Sequence, residues 1–580
     1  MPKLPSKNEI ESAFLSFSKK EWLLFSVFAL ALVISTVMIL QNINRYFLVS
    51  VPKDGGSITE GIIGSPRFVN PVLATSDADQ DLVSLVYSGL MRKDQAGNLA
   101  PNLAEKYEMS ADGLQYTFTL RKDASFQDGV KLMAEDVIFT IEKIKDPSVR
   151  SPRKGNWDNI SVEKIDDRTV RFTLRQPYAS FLENATVGIM PVHIWQGASL
   201  ELNDANWNPV GSGPYRVKEA GKQPAGLIDF YKLTAFADFV LGEPHIQEIT
   251  LRFYPNEEEL LAAFLRGEVN QISSITPENA LRLAEKKFRI ESSVLPRVFG
   301  LFFNQNQNKI FTDKRVAQAI NLAVDKEEII NEVLHGYGTV INDPIPPNAI
   351  VYPELEKEKN ITREEKLKIA EDILAKAGWK LGKSGYLEKT ITEKGKKMTT
   401  ELQFSISTGN APELAQAAEL IRQDLAKIGM RVEIKTFEIG NLNQDIIRPR
   451  KYDSLLFGQI VGHESDLVAF WHSSQRLDPG LNVAMYANAR VDKILEDAFV
   501  TVNEEKRIKK YVDFNQEIKK DMPAVFLYSP NLIYAVSKDL GGFAIDRLTS
   551  PPDRFADIHS WFLRTEKVWK IFAQNQEAKS

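Results

Sequence analysis

The sequence predicts a multidomain α/β protein carried behind a single membrane-crossing helix. Three observations predict this. Trp22 to Leu40 is nineteen residues without a charge, about 28 Å as a helix and enough to cross a bilayer core. Val298 to Phe303 is a short apolar run of strand length that ends in a polar turn, Asn304 to Asn308, and feeds a helical pattern. Leu402 to Thr408, Glu413 to Ile428 and Arg431 to Phe437 read strand, helix, strand, a unit that handedness rules make a right-handed crossover between parallel strands. At 580 residues the chain is too long for one core.

The N-terminal helix sets the compartment. Lys3, Lys7, Lys19 and Lys20 precede the apolar run, and only Arg45 and Lys53 follow closely. The positive-inside rule therefore puts residues 1–21 in the cytoplasm, 22–40 across the membrane and the bulk of the chain on the extracytoplasmic side. The run exceeds a signal-peptide core, and its A-x-A, Ala29 to Ala31, lies inside it, so it reads as a retained single-pass anchor in the cell membrane. Residues 41–56 read as a tether ending in Asp54-Gly55-Gly56.

Taken in order, Ser57 to Ile63 is a strand and Asp77 to Leu90 a helix with Leu82, Leu85 and Val86 on one face, closed by Gly89. Asp112-Gly113 makes a hairpin turn, after which Tyr116, Phe118 and Leu120 alternate with Thr117, Thr119 and Arg121. Asp128-Gly129 turns again, and Ala134-Glu135-Asp136 opens a helix through Val137, Ile138, Ile141 and Ile144. Ser161 to Leu174 is a second hairpin turning at Asp166-Asp167. Ile249 to Tyr254 is a strand, and Glu257 to Arg266 a helix that stops at Gly267. In the central stretch Thr312 sits at an N-cap position before Val316, Ala317, Ile320, Ala323 and Val324, while Asp325 with Glu328 opens the next helix and Gly336 closes it. Leu367 to Ala377 is amphipathic, and Glu354 to Lys368 is a charge-rich solvated stretch. Ser454 to Phe457 is a strand that Gly458 breaks, before a loop with His463, Glu464 and Asp466.

Composition removes several chemistries. Lys and Arg total 72 against 77 Asp and Glu, so no bulk charge recruits nucleic acid. There are no cysteines, hence no disulfides, thiolate nucleophile or Cys-bound zinc. His463-Glu464 begins like H-E-x-x-H, but position 467 is Leu; neither a Walker loop nor a G-x-S-x-G elbow occurs. These residues leave no signature of a catalytic residue, a cofactor or a protein-bound metal, and none is expected.

Three blocks together resemble the family 5 extracellular solute-binding proteins, the dipeptide, oligopeptide and nickel receptors of ABC importers. They are SADGLQYTFTLRKDASFQDGVKLMAEDVIFT (110–140), NPVGSGPY (208–215) and FFNQNQNKIFTDKRVAQAI (302–320). The resemblance covers roughly residues 57–570. It implies a two-lobed periplasmic-binding-protein-like fold (type II, cluster C) with an extra subdomain: lobe I from 57–83, 207–297 and 530–572, the subdomain from 84–206, and lobe II from 298–529. It further implies a monomer, not an enzyme, that captures a peptide by hinge closure and hands it unchanged to ABC transporter permease subunits. The ligand-facing residues it points to are Phe302, Phe303, Asn304, Gly458, His463, Glu464, Asp466 and Trp471, with Phe470 in support.

In peptide-binding relatives an aspartate three positions before an Asp-Pro or Glu-Pro pair receives the peptide's α-ammonium. Here Asp466-Leu467 stands for that pair, His463 occupies the aspartate's place, Gln459 replaces the usual tryptophan, and the loop is one residue longer. Either Glu464 or Asp466 supplies the anion by a shifted geometry, or the ligand lacks an ammonium. The alternatives are a non-peptide solute, such as an oligosaccharide or metal chelate, and a surface-anchored hydrolase or folding factor.

Overall fold

A 29-residue helix, Lys19–Phe47, carries the apolar N-terminal run, and none of its residues is buried. Ser18 caps it: its hydroxyl accepts from the Glu21 N–H while the Glu21 carboxylate accepts from the Ser18 N–H. The computed structural model describes residues 6–94, 96–197, 199–223, 226–347, 349, 361–393, 396–571 and 573. The chain divides into two units, Met1–Asp54 with Phe562–Ser580, and Gly55–Trp561.

In the first unit the expected tether is built differently. Residues 41–47 continue the helix, and Leu48–Pro52 is a strand paired antiparallel with Thr565–Trp569. Its partner lies at the other end of the chain, so no local pattern marks it.

The second unit is organised by one long strand, Ala524–Val536. Its first part pairs with Arg297–Phe303 and its second with Arg289–Val294. On one side the sheet continues through Arg297–Phe303, Ser454–Ile460, Gln403–Gly409 and Arg431–Phe437. On the other it runs through Gln271–Ser273, Ser57–Ile63, Glu248–Tyr254, Ile228–Ala235 and Tyr215–Lys222. These half-sheets are the frames of two lobes. Helix Pro412–Lys427 joins the parallel pair Gln403–Gly409 and Arg431–Phe437, the expected crossover, with Ala417, Ile421 and Leu425 buried.

Between Asp77–Val86 and Tyr215 the chain builds a separate antiparallel sheet, Ala104–Met109, Gln115–Leu120, Thr169–Leu174 and Ile160–Asp166 in that order. The alternation read in the sequence is real: Tyr116, Phe118 and Leu120 are buried, against Phe172 and Phe181. Two local expectations shift. The cap of helix Lys314–Ala323 is Asp313, which accepts from the Arg315 N–H at 3.1 Å, because Thr312 closes a preceding 3-10 turn. Gly458 does not break its strand, which runs Ser454–Ile460. It faces Phe299 across the ladder, and a Cβ there would lie 2.6 Å from that ring. The glycine serves close approach, not termination. Residues 354–360 of the charge-rich stretch lie outside the described residues; the rest opens helix Arg363–Lys376, capped by Thr362.

A buried ion triad holds the first lobe together. Arg554 donates to Glu60 at 2.7 Å and to Asp81 at 2.6 Å, joining strand Ser57–Ile63, helix Asp77–Val86 and the turn Pro551–Phe555.

Candidate ligand-binding cleft

The strand Arg297–Phe303 places successive aromatic side chains on opposite faces. Phe302 enters the core around Trp471, Phe514 and Phe526, whereas Phe303 enters the core around Phe311 and Phe404, stacking on Phe311 at 4.4 Å. Trp471 is itself 1% exposed. The three aromatics expected at the ligand are thus packed in lobe interiors, where full burial of each is worth roughly 1.5–3 kcal/mol. Asn304, also buried, spends its amide on the backbone: Nδ2 donates to the Arg450 carbonyl at 2.9 Å, and Oδ1 accepts from the Asn306 and Gln307 N–H groups.

The loop after Ser454–Ile460 brings the charged candidates together. His463 Nδ1 meets the Glu183 carboxylate, from the short helix Phe181–Asn184 of the subdomain. Glu464 accepts from Arg507 Nε at 2.6 Å and from the Tyr511 hydroxyl at 3.3 Å. Asp466 starts helix Asp466–Trp471 and accepts from the His463 N–H at 2.9 Å. Beside them Tyr178 stacks on Phe499 at 4.8 Å, tying the subdomain to the second lobe.

Electrostatics follow from this pairing. Burial works to lower the His463 imidazole pKa, but the Glu183 carboxylate more than offsets it, so the net shift is upward. Burial works to raise Glu183, yet His463 holds it below the usual carboxylate range. Burial raises Glu464 against the opposing charge of Arg507, and raises Asp466 against the His463 N–H. The Tyr178 hydroxyl is pushed up to about 12 by burial, opposed by Ser465.

Cavities open beside this network. One, of about 460 Å³, is lined by Lys93, Glu183, Glu464, Arg507 and Thr549 among others, so the subdomain, the loop after Ser454–Ile460, helix Glu504–Asp521 and the segment that follows Ala524–Val536 contribute to it. A second, of about 390 Å³, shares Lys93, Glu183 and Thr549 and adds Arg92, Asn102 and His463. A third, of about 320 Å³, is more apolar and belongs to the second lobe, with Phe457, Gln459, Phe470 and Leu481 in its wall. Sequence reasoning missed Lys93, Glu183, Arg507 and Tyr511. None stands in a motif, and each meets the loop only through tertiary folding. Among the described residues no group of three His, Asp or Glu is placed to hold a metal ion.

The half-sheets sharing one strand, the added subdomain and cavities at their junction define a two-lobed binding protein. The family model for bacterial extracellular solute-binding proteins, family 5 (middle), matches residues 98–476, and the chain belongs to that family. The oligopeptide-binding protein AppA of Bacillus subtilis (strain 168) is 31% identical over 525 residues, covering 88% of this chain and 92% of that protein. The structure of AppA in complex with a nonapeptide aligns at 30% identity with a TM-score of 0.65, covering 89% of this chain and all of that one. NikZ from Campylobacter jejuni, in complex with Ni(L-His), aligns at 28% identity and a TM-score of 0.67, over 88% of this chain and all of NikZ. This is a solute-binding protein and not an enzyme.

Proposed function

We propose that this protein is a membrane-anchored receptor that captures a peptide between its lobes and delivers it, as a monomer, to an ABC transporter permease. One observation carries the reading. The 460 Å³ cavity gathers carboxylates and cations from separate parts of the fold around one space, which suits a ligand with a charge at each end and an amide backbone between. Charge-assisted hydrogen bonds in such a site are worth about 1.5–3 kcal/mol each. The likeness to AppA supports a peptide as the guest.

In this reading lobe I comprises 57–83, 207–297 and 530–561, the subdomain 84–206, and lobe II 298–529, a division that the half-sheets on either side of Ala524–Val536 support; residues 562–572, expected in lobe I, fall instead in the first unit, where Thr565–Trp569 pairs with Leu48–Pro52. His463, Glu464 and Asp466 form the ligand-facing loop, with Glu183 and Lys93 opposite. Gly458 shapes the strand leading into it, Trp471 anchors the helix that follows it, and Phe302, Phe303 and Asn304 hold the far end of that strand from the lobe interior. Hinge closure excludes water and strengthens each polar contact inside. The helix Lys19–Phe47 is a retained anchor, supported by its length and apolar composition.

Thermal-shift and calorimetric titration with peptide libraries graded in length is the test. Saturable stabilisation by at least one peptide class is expected, and none with any class removes the peptide assignment. The departure of the 459–466 loop and the likeness to NikZ favour a second reading, a small chelate or other non-peptide solute. Native mass spectrometry of whatever co-purifies separates the two.

A further inference from the structure

The first unit holds a feature that solute capture does not use. Trp569 Nε1 donates to Asn44 Oδ1 at 2.9 Å, and its ring stacks on Phe47 with centroids 6.2 Å apart. Tyr46 meets Phe47 edge-on at 5.4 Å. The pairing runs in unbroken register from Leu48↔Trp569 to Pro52↔Thr565, and the Lys53 N–H reaches the Arg564 carbonyl at 2.9 Å. Residues from opposite ends of the chain thus form one short clasp directly at the end of the apolar helix. Its rings are open: Tyr46 is 82% exposed, Phe47 43% and Trp569 45%.

The spacing says what covers them. At the other end of the helix Trp22, Phe25 and Phe17 form a second aromatic cluster, with centroid separations of 5.8–6.2 Å. From Trp22 to Phe47 the helix rises about 38 Å. That exceeds the roughly 30 Å hydrocarbon core and stays within the roughly 40–45 Å that includes the headgroups. Trp and Tyr rings collect at those two levels because they are apolar bodies with one polar group, as Trp22, Tyr46 and Trp569 are, while the phenylalanines beside them pack against their rings. Arg45 and Lys567, on the helix end and on the returning strand, extend charged tips suited to lipid phosphate.

We propose that Thr565–Trp569 returns to the membrane surface and that Trp569, with Tyr46 and Phe47, forms the outer aromatic girdle of the anchor, covered by the bilayer interface. The inference rests on the reading of Lys19–Phe47 as a retained anchor, and it makes the anchor a two-ended clasp instead of a flexible leash. It is independent of which solute is bound.

The cysteine-free sequence makes the test clean. The full chain is reconstituted into phosphatidylcholine/phosphatidylglycerol liposomes with a single cysteine, Trp569→Cys or, leaving the ring in place, Lys567→Cys. Each is labelled with bimane. Headgroup-nitroxide lipid is expected to quench both at least twofold, and more than lipid carrying the nitroxide deep in its acyl chain. The double variant Ser50→Cys/Lys567→Cys, a register pair, is expected to cross-link on oxidation. Absence of quenching at both sites overturns the girdle, and absence of the cross-link in a chain whose cysteines label freely overturns the clasp. A mature chain whose mass shows cleavage ahead of Leu48, still able to cross-link, overturns the anchor reading and the girdle with it.

Discussion

Replacing Arg554 with methionine removes the only cation of the buried triad and leaves two carboxyls, Glu60 and Asp81, at 0% and 2% exposure. The guanidinium makes four bonds to them, at 2.6–3.0 Å, and a fifth to the Pro551 carbonyl. Breaking a buried pair by deleting one partner costs about 3–5 kcal/mol, because the remaining charge has no solvent to return to. Burial already raises both carboxyls above their ordinary values of 4.5 and 3.8, with Arg554 opposing the rise. Without the cation both climb further. A carboxyl whose folded value lies above its unfolded value binds protons preferentially in the folded state. Its folded form is therefore favoured at low pH and loses ground as pH rises from about 4.5 through the folded value. Each such group steepens the decline by up to about 1.4 kcal/mol per pH unit. Urea unfolding of the full chain near pH 7.5 and pH 5 measures this. The expectation is a loss of about 4 kcal/mol at the higher pH and a clear recovery at the lower. The triple change Arg554→Met, Glu60→Gln, Asp81→Asn should restore most of it. A single variant as stable as the parent, with the same pH slope, would refute the reasoning.

Three further outcomes are expected. Glu464→Gln, assayed against whichever peptide binds, should weaken affinity at least tenfold if the carboxylate meets the ligand's ammonium; a stability loss of about 1–3 kcal/mol with unchanged affinity would assign Glu464 to Arg507 alone. The contact between His463 and Glu183 should be firmest between about pH 4.5 and 6.5. The raised imidazole loses its proton as pH climbs beyond 6.5, and the lowered carboxylate gains one as pH drops below 4.5. Because the His463 side chain is 43% exposed, the effect should show in hydrogen exchange of residues 181–184 and 462–466 more than in global stability; a pH-independent exchange rate there argues against the link. Gly458→Ala should cost about 1–3 kcal/mol by thermal unfolding, since the Phe299 ring that a Cβ would strike is stacked on Tyr528 at 4.9 Å and must give up that contact to move. An unchanged midpoint would show that the ring yields.

What is legible in the sequence is whatever is written by neighbours along the chain, within one element or between consecutive ones. The alternation at Tyr116, Phe118 and Leu120 and the crossover from Gln403 to Phe437 are local patterns, and the structure carries both. Gly458 was misread because a glycine in a strand can signal either an end or a close approach, and only the facing Phe299 decides. The cap lies at Asp313 and not Thr312 because two adjacent residues can both cap, Asp is the better of them, and Thr312 is taken up in the preceding turn. For the candidate cleft the sequence pointed to the loop with His463, Glu464 and Asp466. It could not name Glu183, 280 positions away from His463, nor Arg507 on an otherwise ordinary charged helix. Phe302, Phe303 and Trp471 look alike in sequence whether they line a cleft or fill a core.

The thirteen-residue strand Ala524–Val536 has a mechanical corollary. Its hydrogen bonds are divided between the two half-sheets, so neither can melt without baring an edge of the other. A partly denatured receptor with one intact half is thereby disfavoured. Amides along this strand should be among the last to exchange, and heating should take both halves apart in a single step.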